Sequence, residues 1–269
     1  MRGRLVLGIV IALVLVGGVV AAITLSGRSP VSSPDAEPDS ALDAIQAEMD
    51  AGQYESARTK LEAMLTQDEQ NGEAHFKLGL TQFNLGDLQS AQAHFSRSLE
   101  LEPDRAAAVH HNLGVLAYQS GDMATALTEF QAALAADPED ADTHYQLGAT
   151  YLIQAFPVGA LEPDATLLQQ AEAEFNHALE IVPQKPEALV GLANIDMLRN
   201  DMVTAIDRLE QAIEQSPGMR EALFALGRSY AATGQQDKAI ATLQQFLDTD
   251  PPAMWAEQAE QMLADLGGG

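Results

Sequence analysis

The sequence predicts an all-α array of stacked helical hairpins, and three observations carry that prediction. Apolar residues recur at helical spacing. Between Met219 and Pro251, Leu223, Leu226 and Tyr230 keep one period, Gly234 interrupts it, and Ala239, Leu243 and Phe246 resume it. Copies of this unit recur along the chain. A small residue early in each second helix, where two helices approach closely only with almost no side chain between them, falls at Ala91, Ala126, Ala171, Ala205 and Ala239. The large apolar residue four places later is Phe95, Phe130, Phe175, Leu209 and Leu243, and a proline ends each unit at Pro103, Pro138, Pro183, Pro217 and Pro251. The alanines are 35, 45, 34 and 34 residues apart, and a register of about 34 residues belongs to a two-helix repeat.

Further markers keep the same step: the pairs Leu78-Gly79, Leu113-Gly114, Leu147-Gly148 and Leu226-Gly227, the aromatics Tyr151 and Tyr230, and the turn glycines Gly86, Gly121 and Gly234. On these residues the chain resembles the tetratricopeptide repeat family over roughly residues 39 to 266. The resemblance implies a helical-hairpin solenoid of about six repeats plus a C-terminal cap helix. The copy at 186 to 219 departs from it, with Leu192-Ala193 for the pair and Asn200 for the turn glycine. The first copy keeps Gly52, Tyr54 and Ala57 but lacks the pair and the proline, as a terminal capping unit can.

Taken in order, the chain opens with Leu5 to Leu25, which contains no charged residue. Its 21 residues, at about 1.5 Å each, reach roughly 31 Å and match a hydrocarbon core of about 30 Å. Residues 1–25 are therefore expected to form a signal anchor and transmembrane helix. A cleaved signal peptide with a small-residue site at Ala22 is the alternative, against which the length of the apolar run argues. Arg2 and Arg4 place the N-terminus in the cytoplasm and the array outside it, although Arg28 weakens the contrast. Residues 26–40, with three prolines, five serines and few apolar side chains, read as an extended linker.

The array is expected over 41–266, with helices at Ala41 to Ala51 and Tyr54 to Thr66, then hairpins beginning near Glu73 and Ala106. The fourth repeat carries an insertion near 155–165. Tyr151 to Ala171 is 20 residues where Tyr230 to Ala239 is 9, so a loop at Ala155-Phe156-Pro157-Val158-Gly159 precedes a helix start at Glu162-Pro163-Asp164, with the proline in the first turn. Such an insertion is either a projecting functional loop or a tolerated surface excursion. Met254 to Leu266 reads as the cap helix and residues 267–269 as a flexible tail.

Composition fits packed amphipathic helices: 269 residues, 46% hydrophobic, 5% aromatic and no cysteine. Disulfides and thiolate metal sites are thereby excluded. The net charge of −25 disfavours nucleic acid as a partner. It keeps the chain soluble, and it could also steer a basic partner.

No constellation for chemistry emerges. His75, His110 and His144 recur at one place in successive first helices, but neighbouring hairpins lie about 10 Å apart while a shared metal needs nitrogens about 2.1 Å from one ion, so packing is the better account. Glu174 and His177 form a single Glu-x-x-His pair without the second pair that a di-iron bundle needs. Phosphate loops, nucleophile elbows and dinucleotide fingerprints do not occur. No catalytic, cofactor-binding or metal residue is nominated, and the expectation is a non-enzymatic protein without cofactors.

What the family resemblance implies instead is a concave groove, lined by the first helix of each repeat, for an extended or helical partner segment. Carried onto this sequence, the lining is Phe76, Leu80 and Phe83, then His111, Val115 and Tyr118, then Tyr145 and Leu152, then Asn194 and Met197, then Phe224 and Arg228. Either these side chains meet a protein or peptide partner with an apolar or amphipathic, basic segment, or some pack between the helices. The expected function is a membrane-tethered interaction scaffold or adaptor. The alternative is an extracytoplasmic holdase for unfolded clients, as in cytochrome c maturation.

Overall fold

The computed structural model describes residues 41–157, 160 and 162–267. The expected membrane segment, the linker and residues 158, 159, 161, 268 and 269 lie outside them. Among the described residues there are thirteen α-helices and no strand, and no helix is long and apolar enough to cross a membrane. Contacts divide the chain into two compact units, one ending at Glu139 and one running onward from Asp140.

The first unit holds three hairpins: α1 (Ala41–Asp50) with α2 (Tyr54–Gln67), α3 (Gly72–Asn84) with α4 (Leu88–Leu101), and α5 (Ala106–Gln119) with α6 (Met123–Ala136). A 3-10 turn, Pro103–Arg105, leads into α5. The second holds α7 (Ala141–Gln154) with α8 (Ala165–Ile181), α9 (Pro186–Leu198) with α10 (Met202–Gln215), α11 (Arg220–Ala232) with α12 (Gln236–Leu247), and the unpaired α13 (Ala253–Gly267). In each unit the second helix of a hairpin also packs against the first helix of the next.

The alanine and proline markers have physical counterparts. Ala91, Ala126, Ala171, Ala205 and Ala239 are all fully buried. The glycines of the leucine–glycine pairs face the large apolar residue four places after the alanine. A Cβ on Gly79, Gly114 or Gly148 would come within 2.6 to 2.8 Å of the rings of Phe95, Phe130 or Phe175, closer than carbon atoms approach without displacement. The missing side chain on one helix is the space the ring of the other fills.

Turns and caps complete the hairpins. Gly86, Gly121 and Gly234 take φ of 82°, 79° and 74°, and Asn200 takes the same left-handed turn at 63°, as asparagine does more readily than other side-chain-bearing residues. Asp87, Asp122 and Asp201 accept from the backbone N–H of Ser90, Thr125 and Thr204, capping α4, α6 and α10.

The insertion departs from its expected detail. Asp164, rather than a residue of the first turn, is the N-cap of α8, its carboxylate accepting from the N–H groups of Thr166 (2.8 Å) and Leu167 (3.1 Å). Pro163 precedes the cap instead of occupying the first turn, because the aspartate side chain can satisfy two amides that proline would leave open. The loop is closed by the Asp164 N–H donating to the Ala155 carbonyl, at 2.8 Å. At 17 residues α8 is the longest described helix.

Candidate functional site

The first helix of each hairpin carries the expected lining, and the two units treat it differently. In the first unit Phe76, Leu80, Phe83, Val115 and Tyr118 are buried, each keeping only a narrow strip of surface. Phe76 tilts against Phe95 with ring centroids 5.8 Å apart, and the Arg105 guanidinium stands 5.8 Å from its ring. Arg105 is held there by Glu102 and by Glu73 at 3.3 Å. His111 meets the Phe130 ring edge-on at 6.0 Å. Burial pushes the Tyr118 hydroxyl well above its ordinary range and the Lys77 ammonium below its own. Lys77 donates to Gln46 at 2.7 Å, tying α3 to α1.

In the second unit Tyr145 is half-buried against Phe175. Lys185 lies 6.0 Å from its ring and pairs with Asp142 and Glu187. The arrangement repeats that of the first unit: a cation from the segment before the next hairpin rests on the aromatic of the preceding first helix and pairs with the acid three positions earlier. Leu152, Met197 and Phe224 are core rather than surface, each 1% exposed or less. Phe224 is enclosed by Phe246 and Trp255, with ring centroids 5.0 and 5.7 Å away.

Two polar residues of the expected lining stand out in this unit. Asn194 is 2% exposed, and its Nδ2 is a buried donor with no partner among the described residues. Arg228, half-buried at the equivalent place one repeat later, lies 5.8 Å from the Phe224 ring. Every other described lysine or arginine on the first helices or the segments flanking them, apart from Arg220, pairs with a carboxylate: Lys77 with Glu73, Arg105 with Glu73 and Glu102, Lys185 with Asp142 and Glu187, Arg199 with Glu172. Among the described residues no carboxylate pairs with Arg228, and burial lowers its pKa. Helices α9 and α11, which bear the two residues, are in contact. A desolvated guanidinium and an unsatisfied amide donor in register suit an acceptor-rich ligand such as a polypeptide main chain.

Three histidines of the first helices make contacts that sequence reasoning missed. Each is bound across its own hairpin: His75 to His94, His110 to Glu129 and His144 to Glu174, at 2.8, 2.7 and 2.7 Å. Glu174 is thus engaged by His144, while His177 meets the His144 ring at 5.3 Å and pairs with Glu180. The missed signal is the residue just before the large apolar one of each second helix, at 94, 129 and 174. Among the described residues no group of three His, Asp or Glu side chains is placed to hold a metal.

Comparison with known proteins agrees with this geometry. Tetratricopeptide repeat models match residues 42–106, 77–141 and 111–155, and a second such model matches 196–266. A peroxisomal targeting signal receptor of Pichia angusta is 29% identical over 115 residues, 42% of this chain and 20% of that receptor, so the chain spans about a fifth of that relative's length. Among solved structures, the APC/C hetero-tetramer Cut9–Hcn1 superimposes with a TM-score of 0.70 at 18% identity, over 84% of this chain and 42% of that one. The Pseudomonas aeruginosa pilF structure does so with 0.67 at 17% identity, over 82% and 95%. At such identities the structures speak to fold alone. With the repeat models covering most of the array, the chain belongs to the tetratricopeptide repeat family.

Proposed function

We propose that the protein is a membrane-tethered, non-enzymatic scaffold or adaptor whose first helices receive a segment of a protein partner. The observation that carries this reading is the pair Asn194 and Arg228. A buried amide donor without an acceptor costs about 1–3 kcal/mol and is relieved when a ligand supplies one, and a half-buried guanidinium without a carboxylate invites the same kind of ligand. In the same unit, the half-buried Tyr145 fits an apolar or amphipathic segment. The net charge of −25 favours a basic one through faster encounter at low salt. Likeness to a targeting signal receptor supports recognition of a polypeptide segment.

Tethering rests on the apolar run Leu5 to Leu25 and the positive charges before it, which favour an array outside the cytoplasm. The test is a photo-crosslinking side chain placed at position 228, compared with one at Val203, which is 71% exposed on α10, in intact membranes. Adducts with one partner from 228 and not from 203 support the reading; equal labelling from both overturns it. With the partner in hand, Arg228→Ala should weaken binding by about 10-fold or more, the value of a hydrogen bond to a charged group, while the melting temperature stays within a few degrees.

A further inference from the structure

The three cross-hairpin histidine contacts occupy equivalent places but differ in chemistry. His110 and His144 face carboxylates, which accept from a neutral imidazole and from an imidazolium alike. His75 faces another imidazole. The ring centroids of His75 and His94 are 5.1 Å apart and their Nδ1 atoms 2.8 Å. The difference is what two ring radii occupy, so the nitrogens lie on the line between the centroids and the rings meet head to head in a hydrogen bond.

Only one proton fits between them. His75 Nε2 lies 3.1 Å from the Glu69 carbonyl, which accepts only, so His75 carries its hydrogen there and its Nδ1 is the acceptor for the His94 Nδ1–H. A first added proton goes to His94 Nε2 and leaves the hydrogen bond in place. A second must go to His75 Nδ1, where it meets the His94 proton.

We propose that the α3/α4 hairpin is an acid-sensitive catch: it stays closed with one added proton on the His75–His94 pair and opens when both imidazoles are charged, while the His110–Glu129 and His144–Glu174 contacts stay shut. The surroundings act in the same sense. Burial, and then the charge of His75, push the His94 pKa down; Glu62 on α2 and Asp87 at the head of α4 oppose them, and no charged side chain of α1 or α5 acts on it. An unfolded hairpin takes both protons near the ordinary imidazole value of about 6.5, whereas the closed one resists the second. Stability that is present above that value is therefore lost as pH falls below it.

The experiment follows the histidine ring signals of the full chain by NMR, together with protease cleavage within α3/α4 and α5/α6, from about pH 7.5 to 4.5. Opening of α3/α4 should grow by up to about tenfold per pH unit as the pH falls below the ordinary imidazole value, with α5/α6 lagging. His94→Gln and His75→Gln, whose amides can keep a hydrogen bond without titrating, should each flatten that response, and His177→Gln should leave it unchanged. A wild-type response that persists in both glutamine variants, or α5/α6 opening in step with α3/α4, overturns the proposal.

Discussion

Hairpins α7/α8 and α9/α10 pack against each other in the second unit, yet they close with opposite distributions of bulk. In α7/α8 the first helix contributes Gly148 and the second Phe175. In α9/α10 the same places hold Ala193 and Leu209, both fully buried in one cluster. A methyl group has moved onto one helix and a ring has shrunk on the other. The glycine of α9 sits two residues earlier, at Gly191, where a Cβ would come within 2.6 Å of Phe175. Phe175 is thus held between Gly148 of its own hairpin and Gly191 of the next. These two crossings are filled by different pairs of side chains, and the leucine–glycine pair opposite a ring is one way of filling them.

Substitutions that exchange the two solutions test this directly. Gly148→Ala alone should destabilise the chain by about 1–3 kcal/mol, because the added methyl overlaps the Phe175 ring and overpacking outweighs the helix propensity gained. Adding Phe175→Leu recreates the α9/α10 combination and should recover part of that loss; a double-mutant cycle read by denaturant unfolding should show coupling above about 0.5 kcal/mol. Strictly additive effects would mean that the crossing volumes are independent and the comparison is empty.

A smaller difference lies where α8 begins. Its N-cap Asp164 closes the inserted segment, and Asp164→Ala should cost about 1 kcal/mol, seen as earlier fraying of the first turn of α8 in amide exchange. α10 is capped by Asp201, and Asp201→Ala should match it without loosening any insertion. Smallest is the turn before α10. Asn200→Gly relieves a left-handed backbone that a side chain adopts at some cost, and should raise stability by a few tenths of a kcal/mol; a loss would show that the asparagine side chain holds the turn.

The hairpins were legible in the sequence because they are written in local signals: a helical period and a small residue at the crossing, and in most of them a turn residue at left-handed φ and a proline at the end. Partnerships between hairpins were not. Arg105 and Lys185 read as ordinary linker cations until folding brings them over Phe76 and Tyr145. Periodicity placed Phe224 on the same stripe as Phe76, but whether such a ring lines a face or fills a core depends on what arrives from outside its hairpin, here Trp255. His94 and Glu129 are marked in the sequence only by standing just before Phe95 and Phe130. They became visible only once α3 and α5 were laid beside α4 and α6.

The unpaired helix α13 has a consequence for growth. Phe224 and Phe246 form the apolar plane onto which a seventh hairpin would add, and Trp255 lies over both, while α13 turns Glu257, Glu260 and Asp265 outward. The apolar plane is thereby covered by a helix whose outer face is charged, so the rings of α11 and α12 are closed to a neighbouring molecule.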